Sequence, residues 1–250
     1  MTKPTILSLL TLASAAHAGT WRFTCDYFNM DTTGHLTSRD RFSALYTRGV
    51  PGDTVRWSDV SVAHGSDWPD QFGPAEKRPF MEGFTYPYVT AQNSLQPEFF
   101  RGFPPQAMQE RNLVWDTHML EGFATQLDKL KPNVPWSMPD VSELSLAGAG
   151  MFHHRDVQLT LTGTATRNGE QCAVIDYRAF FNTLDVKVPG IALKGWSHYW
   201  GQIWISKASK RIEYGTLYEV VIGEFTLGEQ GKPQTMHVFR KGILEPVAGN

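Results

Sequence analysis

The chain of 250 residues carries 23 basic and 25 acidic side chains, interspersed, for a net charge of −2. No lysine or arginine run of the kind that tracks a phosphate backbone is present, so a nucleic-acid partner is not expected. Fifteen phenylalanines and eight tryptophans exceed what a core requires, a first sign of a ligand surface.

The chain opens MTKPTILSLLTLASAAHAG. One lysine precedes an apolar run from about Ile6 to Ala16, and Ala16-His17-Ala18 supplies the small-x-small pattern of a signal-peptidase site. The run falls short of the ~20 apolar residues that span a bilayer. Residues 1–18 therefore read as a cleaved secretory signal, and the expected localisation is secreted or periplasmic. No other stretch is apolar enough to be an integral membrane segment. The remainder, 19–250, fits a single β-rich domain and needs no disulfide staple. Export permits its two cysteines, Cys25 and Cys172, to pair; the alternative is two buried thiols packed as small apolar groups.

From about 19 to 64 the sequence alternates with period two. Strands are expected at Thr20–Phe28, His35–Thr47 and Thr54–Ala63, separated by turns at Asp31-Thr32-Thr33-Gly34 and Pro51-Gly52-Asp53. From about 65 to 145 ten prolines rule out a regular sheet. This Pro-rich insertion contains one helix, expected over Asn112–Lys131 with Asn112 as N-cap. Leu113, Leu120, Phe123, Leu127 and Leu130 recur there near the 3.6-residue period. A short helical turn is expected at Gln96–Arg101.

Strands return at Asp156–Thr164 and Gln171–Phe181, flanking Asn168-Gly169, a strong hairpin signal. Trp196–Ser206 and Arg211–Gly223 form a second hairpin, and Gln234–Lys241 a last strand. The expected fold is mainly β: a single curved antiparallel sheet or open barrel of about eight strands, with the partly helical insertion covering its concave side. A signal peptide, successive hairpins and a helix-bearing insertion give the chain an outline that resembles the periplasmic lipoprotein-carrier folds, the half-barrels that bind lipid. That resemblance implies an apolar cavity for acyl chains. The chain departs from the pattern in its many tryptophans and its long Pro-rich middle.

In the second hairpin, Trp196, His198, Trp200, Gln202 and Trp204 share one face. Flanking the turn with Lys207 and Lys210 pairs Trp204 with Glu213, Trp200 with Leu217, His198 with Glu219, and Trp196 with Val221. Large rings beside glutamates suit a sugar, a flat aromatic ligand or a polar-headed lipid. The opposite side, with Tyr199, Ile203, Ile205, Ile212, Tyr214, Tyr218, Val220 and Ile222, reads as core. On the helix, Asp116, His118 and Glu121 could join Glu219 in acid–base chemistry if a cleft desolvated them. His154 and Asp156 share a strand face and could contribute to a metal site.

No phosphate-loop lysine, Gly-x-Ser-x-Gly elbow, His-Glu-x-x-His or Cys-x-x-Cys occurs, and no cofactor is expected. Scattered carboxylates (Asp59, Asp176, Glu213, Glu219) could pair in space as in glycosidases. The leading expectation is an exported protein that binds a small molecule on a concave Trp-lined face, with the insertion as its lid. The alternatives are a secreted hydrolase or lyase using His–carboxylate chemistry, and a cell-envelope assembly protein with a protein partner.

Overall fold

Period-two alternation organises the chain on either side of the Pro-rich insertion. The computed structural model describes residues 19–50, 53–66, 71–88, 94–139, 143–228 and 231–247. The expected secretory signal lies outside the described residues, as do Pro51 and Gly52 of the expected turn. All eight expected strands form: β1 (Gly19–Met30), β2 (Leu36–Val50), β3 (Thr54–Gly65), β9 (Val157–Arg167), β10 (Glu170–Val188), β11 (Ile191–Ser206), β12 (Ile212–Leu227) and β13 (Gln234–Pro246). Five short strands within and just after the Pro-rich insertion raise the number to 13. They are β4 (Glu76–Lys77), β5 (Thr85–Pro87), β6 (Trp136–Ser137), β7 (Glu143–Ser145) and β8 (Gly150–His153). At two to four residues each, they are too short to display an alternating pattern.

These strands make one antiparallel sheet in the order β4-β3-β2-β1-β13-β12-β11-β10-β8-β7, which leaves both ends open. Beyond β10, strand β9 pairs with its first half and β8 with its second. The β9–β10 hairpin turns at Asn168 (φ 53°) and Gly169 (φ 79°). Two successive positive φ values are what a two-residue hairpin turn demands, and Asn-Gly supplies them at low cost.

The helix α1 covers Met108–Ala124, an earlier and shorter span than the expected Asn112–Lys131. Asn112 is not its cap but lies inside it, and its Nδ2 donates to the Tyr27 hydroxyl at 3.3 Å. At the other end Thr125 Oγ1 and Gln126 Nε2 both donate to the Gly122 carbonyl, at 2.7 and 3.2 Å. Side chains competing for a terminal carbonyl end a helix; a separate turn follows at Leu127–Lys129. The expected turn near Gln96–Arg101 forms at Pro97–Phe100.

Leu113, Leu120 and Phe123 of α1 are buried against one face of the sheet with Phe23, Trp57, Ile203 and Leu217. Gly215 of β12 gives the helix room, since a Cβ there would stand 3.3 Å from Leu120 Cδ1. Cys25 and Cys172 are both buried and free, so of the two readings the buried thiols hold and the bridge does not. They sit on β1 and β10 with β13, β12 and β11 between them. At ~4.8 Å per strand the two are far beyond the ~7 Å that a disulfide tolerates between Cα atoms.

Between β11 and β12 the ladder is interrupted. Pairing holds at Trp200↔Tyr218 and resumes at Ile203↔Gly215. In the gap the Tyr177 hydroxyl donates to the Thr216 carbonyl at 2.6 Å, and the Gln202 N–H donates to Thr216 Oγ1 at 3.0 Å. A Cβ on Gly201 would lie 2.0 Å from the Thr216 oxygen, so only glycine allows this approach. Beyond the gap the sheet curls away from α1. Arg167 of β9 lies 4.0 Å over the Tyr214 ring of β12 and bonds Glu245 of β13 at 3.1 Å. Strands that are not neighbours in the sheet are thus brought together across its helix-free face.

Candidate functional site

That curl makes a trough on the side of the sheet opposite α1. Trp200 and Gln202 of β11 form its floor with Tyr214, Thr216 and Tyr218 of β12. Asp176, Arg178 and Phe180 of β10 and Gln158, Thr160 and Thr162 of β9 form one wall, and Pro135 of the insertion closes part of the rim. The cavity holds about 630 Å³, within the size range of small-molecule sites. Trp200 stacks on Tyr218 (centroids 6.0 Å, 25° between planes), and Tyr218 on Phe239 (6.3 Å, 12°). Three near-parallel rings thus line up from β11 to β13.

Polar groups alternate with the rings. Arg178 donates through Nε and Nη2 to Gln158 Oε1 at 3.1 and 2.8 Å, which fixes both side chains on the wall. Trp204 Nε1 donates to Gln202 Oε1 at 3.2 Å, leaving the Gln202 amide group to face the cavity. Asp176 Oδ1 is buried with no hydrogen-bond partner. A buried carboxylate oxygen without a donor is costly, so it marks a place where a ligand donor would be stabilising.

The five even-numbered residues from Trp196 to Trp204 do share this face, but the partners expected for them do not. The register read from the turn holds at Ile205↔Ile212 and shifts by one at Trp204↔Tyr214, because Glu213 is inserted as a bulge. Trp200 therefore faces Tyr218, His198 faces Val220 and Trp196 faces Ile222. A slip of one residue exchanges the faces of a strand. Glu219 is buried on the α1 side, and Glu213 is fully buried with Arg211 Nε donating to it at 2.8 Å. Tyr214, Tyr218, Val220 and Ile222, expected in the core, lie on the trough face. The helix expected as the lid packs on the other face; of the insertion, Pro135 reaches the cavity.

The residues expected for acid–base chemistry lie on the α1 side, in a network that ties the helix to the sheet. Arg240 of β13 donates to Asp116 (3.1 and 3.3 Å), to Glu219 and to the Tyr27 hydroxyl (3.2 Å), and Ser197 Oγ donates to Glu219. Glu121 accepts from the Tyr46 hydroxyl at 2.9 Å and from Arg48 at 3.2 Å. His118 Nε2 is 2.9 Å from the Tyr86 hydroxyl, and its Nδ1 is 3.2 Å from Ser94 Oγ. Asp116, His118 and Glu121 thus take separate partners.

Burial governs their protonation. It pushes the Asp116 carboxyl up to about 6, against the pull of Arg240. It raises Glu121 as well, against Arg48. It lowers His118 to about 4, with Arg48 adding to the effect.

His154 packs its ring against Phe152 and Tyr199 (4.7 and 5.7 Å), while Asp156 accepts from Gln158 at 2.6 Å. Among the described residues no group of three or more His, Cys, Asp or Glu could hold a metal ion. Sequence reasoning missed the wall of the trough. The signal was present: Gln158, Thr160 and Asp176, Arg178 alternate with buried Leu159, Ile175 and Tyr177. Of these residues Asp176 alone was singled out, as one of the scattered carboxylates.

No protein-family model matches the chain, and no curated protein sequence matches it. Among solved structures it is similar to lipovitellin, in a study of lipid–protein interactions, with 12% identity and a TM-score of 0.46. The match covers 93% of this chain and 25% of that one, so the chain spans about a quarter of that protein's length. It is similar to the hypothetical lipoprotein YmcC from Escherichia coli K12 (10% identity, TM-score 0.28, 99% of both chains). It is also similar to a domain described as outer membrane lipoprotein-sorting from Vibrio parahaemolyticus (11%, TM-score 0.20, 98% of this chain and 93% of that one).

Proposed function

We propose that the protein is an exported binding protein whose helix-free trough holds a small, ring-bearing polar molecule of the sugar-like class. The observation that carries this reading is the unpartnered Asp176 Oδ1 beside the Trp200–Tyr218 stack. A ring face of C–H groups would lie on Trp200, and a ligand hydroxyl would donate to Asp176. Arg178, Gln158 and Gln202 are placed to bond further hydroxyls. An acyl chain would bury these polar groups without satisfying them, at a cost of roughly 1–3 kcal/mol each. The α1 side is filled by packed side chains, and its buried Asp116, His118, Glu121 and Glu219 serve as anchors of the helix in this account.

Calorimetric titration with a panel of hexopyranosides tests the reading. Removing about 80 Å² of ring contact at ~25 cal/mol per Å² corresponds to ~2 kcal/mol, or ~30-fold in affinity. Trp200→Ala should therefore weaken binding ~30-fold while circular dichroism shows an unchanged fold. Failure of every panel member to bind, or an affinity untouched by the substitution, would contradict the proposal.

A further inference from the structure

A second cavity, of about 620 Å³, lies on the same face further along β11. Its lining includes Trp196, Thr183, Lys194, Ile222 and Glu224. Trp196 is 60% exposed and pairs with Thr183 on one side and Ile222 on the other. An indole so exposed contributes little to the core, and here it is bordered by hydroxyl and charged groups as Trp200 is in the first cavity. Trp196 and Trp200 are four residues apart on one face, about 13 Å at ~3.3 Å per residue.

Between the two cavities β10 carries a bulge rather than regular strand. Ala179 pairs with Tyr199 and Asn182 with Ser197, so Phe180 and Phe181 stand together opposite His198. Phe181 has φ 60° and is 63% exposed. A bulky residue with positive φ is strained, and the bulge is held by the Phe181 N–H donating to His198 Nδ1 at 2.9 Å. Both phenylalanine rings pack on His198, at 5.9 and 5.0 Å, and Phe180 reaches Trp200 at 6.4 Å. Strain kept at an exposed aromatic site is a mark of use by a ligand rather than by the core.

We infer that the trough binds a linear oligomer of sugar-like rings, with one ring on Trp200, another on Trp196, and the Phe180–Phe181 bulge supporting the segment between. This inference rests on the sugar-like reading of the first cavity and adds chain length to it. All-equatorial pyranose chains present flat C–H faces in series, so β-1,4-linked glucose and N-acetylglucosamine oligomers, from monomer to hexamer, are the probes.

Calorimetry on the full chain should show affinity rising with oligomer length, by at least ~10-fold from monomer to the longest chains. Trp196→Ala should abolish that rise, so that the longest oligomer binds no more tightly than the monomer, whereas Trp200→Ala weakens every length. Monomer binding with no length dependence, or a length dependence that survives Trp196→Ala, overturns the oligomer inference and leaves the single-cavity reading intact. Absence of binding at every length overturns both.

Discussion

Replacing Arg240 with methionine is expected to lower folding stability by about 3–5 kcal/mol, the range for breaking one side of a buried ion pair. Among the described residues Arg240 is the cation that bonds both Asp116 on α1 and Glu219 on β12. Its loss leaves two buried carboxylates without their shared cation, Glu219 keeping the Ser197 hydroxyl, and removes the tie between Asp116 of α1 and β13. The cost comes from the orphaned charges rather than from a large net gain of the intact cluster. Arg240→Met combined with Asp116→Leu and Glu219→Leu should therefore recover most of the lost stability. Urea midpoints of the single and triple variants measure the difference. A single variant within 1 kcal/mol of the parent would contradict this role.

The pH dependence of stability should carry two opposed contributions from the same interface. His118 falls from 6.5 in the unfolded chain to about 4 in the fold. Between those values the unfolded chain binds a proton that the folded chain refuses, so this group's stability is present above pH 6.5 and lost as pH falls towards 4. Asp116 rises from 3.8 to about 6. Its folded form holds a proton that the unfolded form has released, so its contribution is present below pH 3.8 and lost as pH rises through 6. Each shift is worth roughly 3 kcal/mol across its window, and the two nearly cancel.

Substitution unmasks them. Relative to the parent, His118→Gln should gain stability as pH falls from 6.5 to 4, and Asp116→Asn should lose it as pH falls from 6 to 4. Denaturation midpoints across this pH series give the slopes. Slopes of the same sign in the two variants, or no slope in either, would show that burial does not set these pKa values.

Much of the sheet was legible because alternation over 11 to 19 residues survives local irregularity, and Asn168-Gly169 fixes one hairpin outright. The strands β4 to β8 were not, since two to four residues among prolines carry no period. The tryptophan face of β11 was read correctly as a set of residues and wrongly as a set of partners. Glu213 is a charged residue that is fully buried in a bulge, and nothing in the local pattern announces it. The side taken by the helix was hidden for a related reason. The buried face of α1 carries Glu110, Asp116 and Glu121, which read as solvent-facing until their partners, Arg78, Arg240 and Arg48, arrive from distant segments. Adjacent Phe180 and Phe181 break alternation, and that break was the one sequence trace of the bulge beside the trough.

With ligand held on the helix-free face, indole N–H resonances distinguish the two faces directly. Trp200 and Trp204 belong to the trough side, while Trp21 and Trp57 are buried on the side of α1. In a ¹⁵N-resolved titration with the tightest-binding sugar of the panel, the Trp200 and Trp204 signals should move and those of Trp21 and Trp57 should stay. Movement of Trp21 and Trp57 with Trp200 unmoved would place the ligand under the helix and contradict the account.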